Sequence, residues 1–316
     1  MSKRRLLITG SQGFVGRAVL ERIHSHHNER IELVEFLDPH TGSRPDIRDQ
    51  PAVAAAIAAA QADSVLHLAA IAAPRQAQND PSQAWMVNVM GSLHVATAMR
   101  LHTPKARLIW SGSSEAYGKA FNANTKPIDE QAPLEPMSPY GATKAAADIM
   151  LRQMAEDGLE AIVFRPFNHT GPGQTADYVV PAFAQQIARI EQGLQEPVLQ
   201  VGNLEARRDF LDVQDVAEAY LLAAGGPLPP RRCYNVATGH PVSIESILQS
   251  LLRQSSADIT VAVDPARYFP NKIETASGNP SALQQDLNWS ASIALEETLQ
   301  SVLEAQRAAL RAPVRH

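Results

Sequence analysis

A short apolar run that leads into three evenly spaced glycines restricts the fold of this chain more than any other feature. Residues 5–9 (RLLIT) are typical of a strand, residues 10–16 (GSQGFVG) of a turn, and Val15, Val19 and Ile23 follow at helical spacing. Glycines in such a turn allow the backbone to approach a pyrophosphate, and the helix N-terminus then faces the phosphates. The spacing differs from the G-x-G-x-x-G dehydrogenase fingerprint, so dinucleotide binding is predicted only together with other features.

The pattern of strand followed by helix repeats through the first half of the chain. Further strands are predicted at residues 31–37, 64–70, 106–110 and 161–164, and helices at an alanine-rich segment after Pro51, at 85–99 and from Tyr140 onward. Residues 74–81 and 122–139 are predicted to be loops. This alternation predicts a right-handed, parallel, doubly wound sheet.

After residue 173 the pattern changes to a mixture of helices and short strands. Helices are predicted at 178–190, 213–224, 244–252 and 295–309, and strands at 198–201, 233–236 and 259–263. The predicted fold class is α/β, a Rossmann-type doubly wound parallel sheet with a smaller mixed α/β C-terminal substrate lobe. Residues 1–167 form the first domain and residues 168–316 mainly the second, with some elements returning to the first. A cleft between two lobes commonly holds a substrate.

Composition excludes several classes of function. The 316 residues are 45% apolar, enough for a sizeable core, and the net charge of −5 is interspersed, which argues against nucleic-acid partners and a polybasic membrane anchor. No apolar run has the length of a membrane span. The single cysteine, Cys233, excludes an intramolecular disulfide and is predicted to pack within a strand. A cytoplasmic protein without a metal site is predicted.

Tyr140 and Lys144 stand one helical turn apart in the segment YGATK and therefore lie on one face of a helix. A nearby ammonium group favours the phenolate, so Lys144 is predicted to lower the pKa of Tyr140 from its ordinary value of about 10. Such a phenol exchanges a proton with a carbonyl or alcohol oxygen, which is one half of a hydride-transfer reaction. An ordinary amphipathic helix with a surface lysine is the alternative.

Asp38 ends the predicted second strand. An acid at this place binds the adenosine ribose hydroxyls and repels a 2′-phosphate, so NAD(H) is favoured and NADP(H) is the alternative. An Asp-Pro turn formed by Asp38 and Pro39 explains the same residue. Ser113 follows the fourth strand in a run of small polar residues, where open α/β sheets place ligands; a simple turn hydroxyl is the alternative.

Several separate motifs occur in one order along the chain. They are Thr9-Gly10-x-x-Gly13-Phe-x-Gly16, Asp46-Ile47, His67-Leu-Ala-Ala70, Asn88-Val-x-Gly91, Ser113-Ser-Glu-Ala-Tyr-Gly118 and Tyr140-Gly-x-x-Lys144. Together they resemble the extended short-chain dehydrogenase/reductase family of nucleotide-sugar epimerases, dehydratases and reductases. The resemblance covers nearly the whole chain and is weakest beyond residue 288.

The resemblance implies a role for each matching position. Tyr140 would be the catalytic acid or base, Lys144 would hold the nicotinamide ribose, and Ser113 would bind O4 of the sugar. Ser114 and Glu115 would lie beside the same sugar. The cofactor would contact Gly10, Gln12, Gly13, Phe14, Val15, Gly16, Asp38, Asp46, Ile47, Leu68, Ala69, Ala70, Asn88, Tyr140 and Lys144.

The C-terminal half is similar to GDP-4-dehydro-6-deoxy-mannose reductases and to their relatives, the GDP-mannose 4,6-dehydratases. The similarity lies in residues 165–174 (RPFNHTGPGQ), 185–189 (QQIAR) and 207–216 (RRDFLDVQDV). It implies that Asn168 contacts the phosphates of a GDP-linked sugar and that Arg208, and also Arg267, pairs with the diphosphate, a task suited to a guanidinium group. An ion pair between Arg208 and Asp209, and a turn role for Asn168, are the alternatives.

Glu115 bears on which reaction of the family is expected. The reductases tend to carry aspartate at this place, whereas in the dehydratases a glutamate removes the C5 proton. The resemblance implies an NAD(P)H-dependent reductase that yields a GDP-rhamnose or GDP-6-deoxy-talose type product. A GDP-mannose 4,6-dehydratase and a 4-epimerase, both with retained NAD, are the alternatives. Orientation of Tyr117, or of the loop, is a further role for this carboxylate.

The helix that begins near Tyr140 carries apolar residues on more than one face, among them Ala145, Ala146, Ala147, Ile149 and Met150. Members of the resembled family pair through this helix and the one that holds Asn88, so a homodimer is expected. Burial within one chain explains the same pattern.

Overall fold

A computed structural model describes residues 3–268 and 272–311 of the chain. The strands are β1 Arg4–Thr9, β2 Ile31–Val34, β3 Ser64–His67, β4 Arg107–Ser111, β5 Ala161–Pro166, β6 Asn168–Thr170, β7 Val198–Val201, β8 Arg207–Arg208, β9 Phe210–Asp212, β10 Cys233–Val236, β11 Val242–Ser243, β12 Thr260–Val263 and β13 Thr275–Ala276. The helices are α1 Phe14–Arg22, α2 Gln50–Ala60, α3 Pro74–Asn79, α4 Pro81–Trp85, α5 Gly91–His102, α6 Pro139–Glu156, α7 Val179–Glu191, α8 Val213–Gly225, α9 Ile244–Arg253, α10 Ser281–Leu287 and α11 Leu295–Arg311.

Six parallel strands form the main sheet in the order β10-β5-β4-β3-β1-β2. The order reverses direction between β1 and β3, and the register places Thr9 of β1 opposite His67 of β3. In open α/β sheets, ligands bind at such a reversal, beyond the carboxyl ends of the strands. The predicted fold class is therefore confirmed. Strand β10 pairs with β5, so the chain beyond residue 167 contributes to the main sheet, while the division at residues 167 and 168 stays a prediction.

Alternate side chains of the central strands enter two separate hydrophobic cores, as a sheet covered on both faces requires. In β1, Leu6 and Ile8 face a core that includes residues of α1 and α8, whereas Leu7 faces a core that includes residues of α2, α5 and α6. The same alternation separates Ile109 from Trp110 in β4. Because β1 and β4 are packed on both faces, the cores fix the position of the carboxyl edge of the sheet.

The smaller lobe has a third core of its own. Its strands form a parallel pair of β7 and β12, a three-stranded sheet in the order β11-β8-β13, and a parallel pair of β6 and β9. Helices α7, α9 and α11 pack together around buried side chains that include Phe183, Ile187, Leu248, Leu299 and Leu303. Among the residues described here, no helix is long and apolar enough to cross a membrane.

The prediction of a loop at residues 74–81 was wrong. The segment instead contains α3 and the start of α4, and Pro74 and Pro81 each stand in the first turn of one of these helices. Proline fits that position because its missing N–H has no partner there. The Asp80 carboxylate also accepts from the N–H of Gln83 and caps α4. Strands β2 and β3 end three residues earlier than predicted, at Val34 and His67.

Candidate active site

The glycine-rich turn between β1 and α1 lies against the segment that follows β3. Gly10 has a φ of +73°, and a Cβ atom there would lie 2.7 Å from the backbone nitrogen of Ala69, so a larger residue is excluded. Gly13 precedes α1 without any side chain capping the helix. The first N–H groups of α1 are therefore available to an anion. A backbone cradle of this shape and charge fits the pyrophosphate of a nicotinamide dinucleotide.

Contacts with residues 168–174 join this turn to the smaller lobe. The ring of Phe14 stacks on His169 at 6.2 Å between centroids, with the planes 2° apart. Arg17 donates to the carbonyl oxygens of Gln12 at 2.8 Å and of Gly173 at 3.1 Å. The turn and the loop after β6 are thus held together at one end of the cleft.

The acids predicted at the adenosine end are engaged in local turns. Asp38 Oδ1 accepts from the N–H of His40 at 2.9 Å. This hydrogen bond is the one expected if Asp38 serves the Asp-Pro turn. Asp46 forms an ion pair with Arg48, and the hydrogen bonds from Arg48 lower the pKa of Asp46. Ile47 is buried against Gly91. Their contacts with adenosine stay predictions.

Of the predicted cofactor residues after β3, the backbone of Ala69 is fixed most directly, because its N–H donates to Thr9 Oγ1 at 3.2 Å. Leu68 and Ala70 flank it and are partly buried. Asn88 is 1% exposed, and its amide is bonded to the backbone of Ile71 and to Thr143 Oγ1. Asn88 therefore fixes the backbone of the loop after β3 through Ile71. A direct contact between Asn88 and the cofactor stays a prediction.

Ser113, Tyr140 and Lys144 come together at the carboxyl ends of β4 and β5. Helix α6 begins at Pro139, and Ser138 Oγ caps it by accepting from the N–H of Gly141 at 3.0 Å. Lys144 is 5% exposed and donates from Nζ to the Ser111 carbonyl at 2.7 Å. The alternative of a surface lysine is therefore wrong.

The ionisation of this group differs from the prediction. Burial raises the pKa of Tyr140 well above its ordinary value, and the charge of Glu115 raises it further, while an interaction with the Ser113 hydroxyl lowers it. Burial lowers the pKa of Lys144 to about 7. Lys144 Nζ lies 5.9 Å from the centroid of the Tyr140 ring and points to Ser111. The prediction that Lys144 lowers the pKa of Tyr140 is thus wrong for this structure, because burial dominates.

Glu115 lies beside the same group, in the short turn that follows β4. Its Oε2 accepts from Ser138 Oγ at 3.0 Å, and its side chain stays accessible to water. Loss of solvation by the surrounding protein raises the pKa of Glu115. The hydrogen bond from Ser138 and the charge of Arg208 lower the pKa and offset part of that rise. The alternative that Glu115 orients Tyr117 is wrong, because the Tyr117 hydroxyl donates elsewhere, to an asparagine in β10.

Arg208, on β8 of the smaller lobe, lies close enough to Glu115 that the charge of each shifts the pKa of the other. Its Nη1 donates to the carbonyl oxygens of Arg207 at 2.8 Å and Glu274 at 3.2 Å, which fixes the guanidinium group on β8. The ion pair between Arg208 and Asp209 does not form, since the Asp209 carboxylate accepts from residues 238 and 239 and from the 277–278 segment.

The two other predicted phosphate ligands are less engaged. Asn168 begins β6 and is exposed, so it stands in a short strand and not in a turn. Arg267 is exposed and pairs with Asp264 at 3.2 Å within a short 3₁₀ turn. In the part of the chain that the structure describes, neither residue is hydrogen-bonded to Tyr140. Their roles as ligands of the substrate phosphates stay predictions.

Sequence reasoning missed Tyr178, which precedes α7. Its hydroxyl donates to the carbonyl of Ala72 at 3.3 Å, so it bridges the smaller lobe and the loop after β3. It lies close enough to Tyr140 that a charge on one raises the pKa of the other. The only sequence signal was an aromatic residue at a helix start.

A parallel sheet with a glycine-rich first turn, and with a serine, a tyrosine and a lysine gathered at its carboxyl edge, defines a nicotinamide-dependent enzyme of the extended short-chain dehydrogenase/reductase class. Comparisons with known proteins narrow this class. The chain belongs to the GDP-mannose 4,6 dehydratase family, whose family model matches residues 7–302.

Individual relatives match the chain over nearly its full length. A GDP-6-deoxy-D-mannose reductase of Pseudomonas aeruginosa is 32% identical over 95% of this chain and 96% of its own. A solved structure of RMD from Pseudomonas aeruginosa complexed with NADPH has a TM-score of 0.86 at 29% identity, covering 97% of this chain and 100% of the other. A UDP-glucose 4-epimerase of Thermus thermophilus in complex with NAD has a TM-score of 0.80 at 27% identity, covering 96% and 99%.

Proposed function

We propose that the protein reduces the C4 carbonyl of a GDP-linked 4-keto-6-deoxy-hexose with a reduced nicotinamide dinucleotide. The observation that carries this proposal is the meeting of Ser113, Tyr140 and Lys144 on the main sheet with Arg208 from the smaller lobe. The full-length similarity to a GDP-6-deoxy-D-mannose reductase supports the guanine nucleotide and the reaction. A cytoplasmic location fits a chain with one cysteine.

The residues divide the chemistry between them. When bound, the nicotinamide supplies the hydride. The Ser113 and Tyr140 hydroxyls bind the sugar carbonyl oxygen, where negative charge develops, and Tyr140 donates its proton to that oxygen. The phenol of Tyr140 is protonated at neutral pH, because burial raises its pKa. Lys144 orients the nicotinamide ribose, and Arg208 binds the diphosphate of the substrate.

Glu115 supports a second candidate, a GDP-mannose 4,6-dehydratase. Elimination of water across C5 and C6 needs a base at C5, and a carboxylate that lies beside Tyr140 with a raised pKa is suited to that task. The family model that matches the chain carries the dehydratase name. In contrast, a dehydratase must first oxidise C4, with Tyr140 accepting a proton, whereas the full-length similarity of the chain to a GDP-6-deoxy-D-mannose reductase favours reduction.

The two candidates are separated by direct assay. The purified protein is incubated with GDP-4-keto-6-deoxy-mannose plus NADH or NADPH, and separately with GDP-mannose and NAD(P)⁺ in catalytic amount. We expect turnover only in the first reaction, with NADH favoured because Asp38 is predicted to bind the adenosine ribose. A keto-sugar product from GDP-mannose alone would establish the dehydratase. Turnover only of UDP-linked or dTDP-linked sugars would refute the guanine assignment.

Arg208→Met is expected to raise KM for the GDP-sugar by roughly 10- to 100-fold, because one charge-assisted hydrogen bond to the diphosphate contributes about 1.5–3 kcal/mol. The matched control is Arg207→Met on the same strand, whose guanidinium group is bonded to the Pro241 carbonyl at 2.9 Å. Steady-state kinetics should show KM unchanged for this control. Equal KM values for both variants would remove Arg208 from the diphosphate site.

A homodimer is proposed for the same enzyme. Trp85, Met86, Met90 and Ile149 are 36–55% exposed on α4, the π-helical turn after it and α6, which pack beside one another. Large apolar side chains in such a cluster mark an interaction surface, and a twofold axis would pair the two faces.

Ile149→Glu is expected to convert the dimer to a monomer, because it places charge at the centre of that apolar surface. Analytical ultracentrifugation of the purified variant measures the mass in solution. The control is Leu194→Glu, since Leu194 is equally exposed at 55% but lies after α7. A wild-type monomer, or an unchanged mass for Ile149→Glu, would contradict the proposed surface.

A further inference from the structure

His67 is a buried titratable residue for which the reaction described above has no use. It ends β3 opposite Thr9, is 1% exposed, and both of its ring nitrogens are bonded. Nδ1 lies 2.6 Å from Thr9 Oγ1, and Nε2 lies 3.1 Å from Ser92 Oγ on α5. The imidazole therefore stands between the glycine-rich turn and the helix layer beneath the catalytic group.

The partners of His67 determine which nitrogen carries its proton. Ser92 Oγ accepts from Trp110 Nε1 at 3.0 Å and donates its single hydrogen to the Asn88 carbonyl at 2.7 Å. The contact with His67 Nε2 is then a donation from the imidazole to Ser92. Nδ1 consequently carries no proton and accepts from the Thr9 hydroxyl. His67 is a neutral imidazole of one defined tautomer.

Burial favours the same neutral state. It lowers the pKa of His67 to about 3, and the charge of Lys144 lowers it as well. A protonated ring would face the Thr9 hydroxyl, whose oxygen already accepts from Ala69 N, and would stand as a second cation near Lys144. No other acidic or basic group contributes to the shift among the described residues. The ring thus acts through fixed geometry and not through titration near neutral pH.

The same network reaches the two catalytic residues of α6. Asn88 Nδ2 donates to Thr143 Oγ1 at 3.0 Å, and Thr143 Oγ1 donates to the Tyr140 carbonyl at 2.8 Å. The Trp110 ring lies under Lys144, with Nζ 4.9 Å from its centroid. Each buried polar atom in this chain of contacts has a partner, and such networks fix one arrangement of the elements that they join.

We propose that His67 is a positioning residue for hydride transfer. Through Thr9 it holds the cofactor-binding turn, and through Ser92 it holds Trp110 and Asn88, so that the turn stays in register with Tyr140 and Lys144. This inference rests on the proposed reduction. Misplacement of reacting groups by about 1 Å costs on the order of 100-fold in rate, so a residue remote from the reacting atoms has a measurable effect.

The test uses His67→Leu and His67→Gln, with His94→Leu as the matched control. His94 is a second buried histidine, bonded to the Ile47 carbonyl at 3.1 Å and separate from this network. Measured are the melting temperature of the cofactor-free protein, Kd for NADH by fluorescence, and kcat and KM for the GDP-sugar well below that temperature. Glutamine keeps one donor and one acceptor, whereas leucine keeps neither.

For His67→Leu we expect kcat to fall about 100-fold and the binding of NADH to weaken, with KM for the GDP-sugar unchanged because Arg208 lies in the other lobe. His67→Gln should recover most of kcat. His94→Leu should lose melting temperature but keep kcat. The proposal is overturned if His67→Leu changes only the melting temperature, or if His94→Leu loses kcat to the same extent.

A second variant serves if His67→Leu does not fold. Ser92→Ala removes the oxygen shared by His67 and Trp110, and retention of both wild-type kcat and Kd by this variant would equally overturn the proposal. A wild-type protein without reductase turnover would refute the proposed reaction alone. The positioning role would then be decided by the binding of NADH, which should weaken in the His67→Leu or Ser92→Ala variant and recover in His67→Gln; unchanged Kd values for NADH would overturn it.

Discussion

Tyr140→Phe is expected to lower kcat by about 10³-fold, the middle of the range for loss of a positioned general acid, while NADH still binds. The tyrosine ring is 8% exposed and packs with Ile71, Ala77 and Ala84. Phenylalanine keeps this packing and removes only the hydroxyl, so the fold is preserved. The remaining rate comes from Ser113 and from the orientation of the bound substrates.

Tyr220→Phe is the matched control for this loss. Tyr220 is a second buried phenol near the same cleft, and its hydroxyl is bonded to Ser111 Oγ at 2.8 Å. We expect its kcat to stay within a few-fold of wild type, because Lys144 uses the backbone carbonyl of Ser111 and not the side chain. Turnover and NADH binding are measured for both variants. A near-normal kcat for Tyr140→Phe would remove that hydroxyl from the mechanism.

Local patterns sufficed to predict the parts of this fold that depend on neighbouring residues. The apolar run before Gly10 and the helical spacing after Gly16 predicted β1, the turn and α1, because each depends on residues a few positions apart. Tyr140 and Lys144 were predicted to share a helix face for the same reason. The short helices at residues 74–85 were missed because the segment is polar and has no clear period, although Pro74 and Pro81 each begin a helix.

Contacts between distant residues have no such local pattern. Arg208 in β8 and Glu115 after β4 come close enough for their charges to interact, although they are 93 positions apart and neither segment indicates the other in sequence. The predicted effect of Lys144 on the pKa of Tyr140 failed for a related reason. Spacing along the helix was correct, but the direction of the ammonium group toward Ser111 and the degree of burial depend on the assembled strands β4 and β5.

Arg165→Met is expected to lower the free energy of unfolding by about 3–5 kcal/mol, the effect of leaving one member of a buried ion pair without its partner. Arg165 in β5 donates from Nε and Nη2 to the Asp148 carboxylate in α6, at 2.7 and 3.0 Å, and both side chains are 1–2% exposed. Its Nη1 donates to the Tyr117 hydroxyl at 2.8 Å. The substitution leaves the buried Asp148 carboxylate, in the helix that also carries Tyr140, with the half-exposed Arg152 as its remaining charged partner.

Arg152→Met is a control on the same carboxylate. Arg152 Nε lies 2.6 Å from Asp148 Oδ1, but its side chain is 41% exposed, so water screens the pair and its loss should cost no more than about 1 kcal/mol. Equilibrium unfolding in urea measures both variants. Equal losses of unfolding free energy in the two variants would show that the buried Arg165 stabilises the Asp148 carboxylate no more than the exposed Arg152 does.

The double variant Arg165→Met with Asp148→Leu tests the physical cause. If a buried carboxylate left with Arg152 as its remaining charged partner is what destabilises Arg165→Met, removal of that carboxylate should restore part of the lost free energy, because replacing both partners of a buried pair by apolar groups costs less than replacing one. If lost packing is the cause, the double variant should be less stable than either single one. Helix α6 carries Tyr140 and Lys144 as well as Asp148, so the first result would mean that the ion pair with Arg165 adds little net stability to the helix of the catalytic residues.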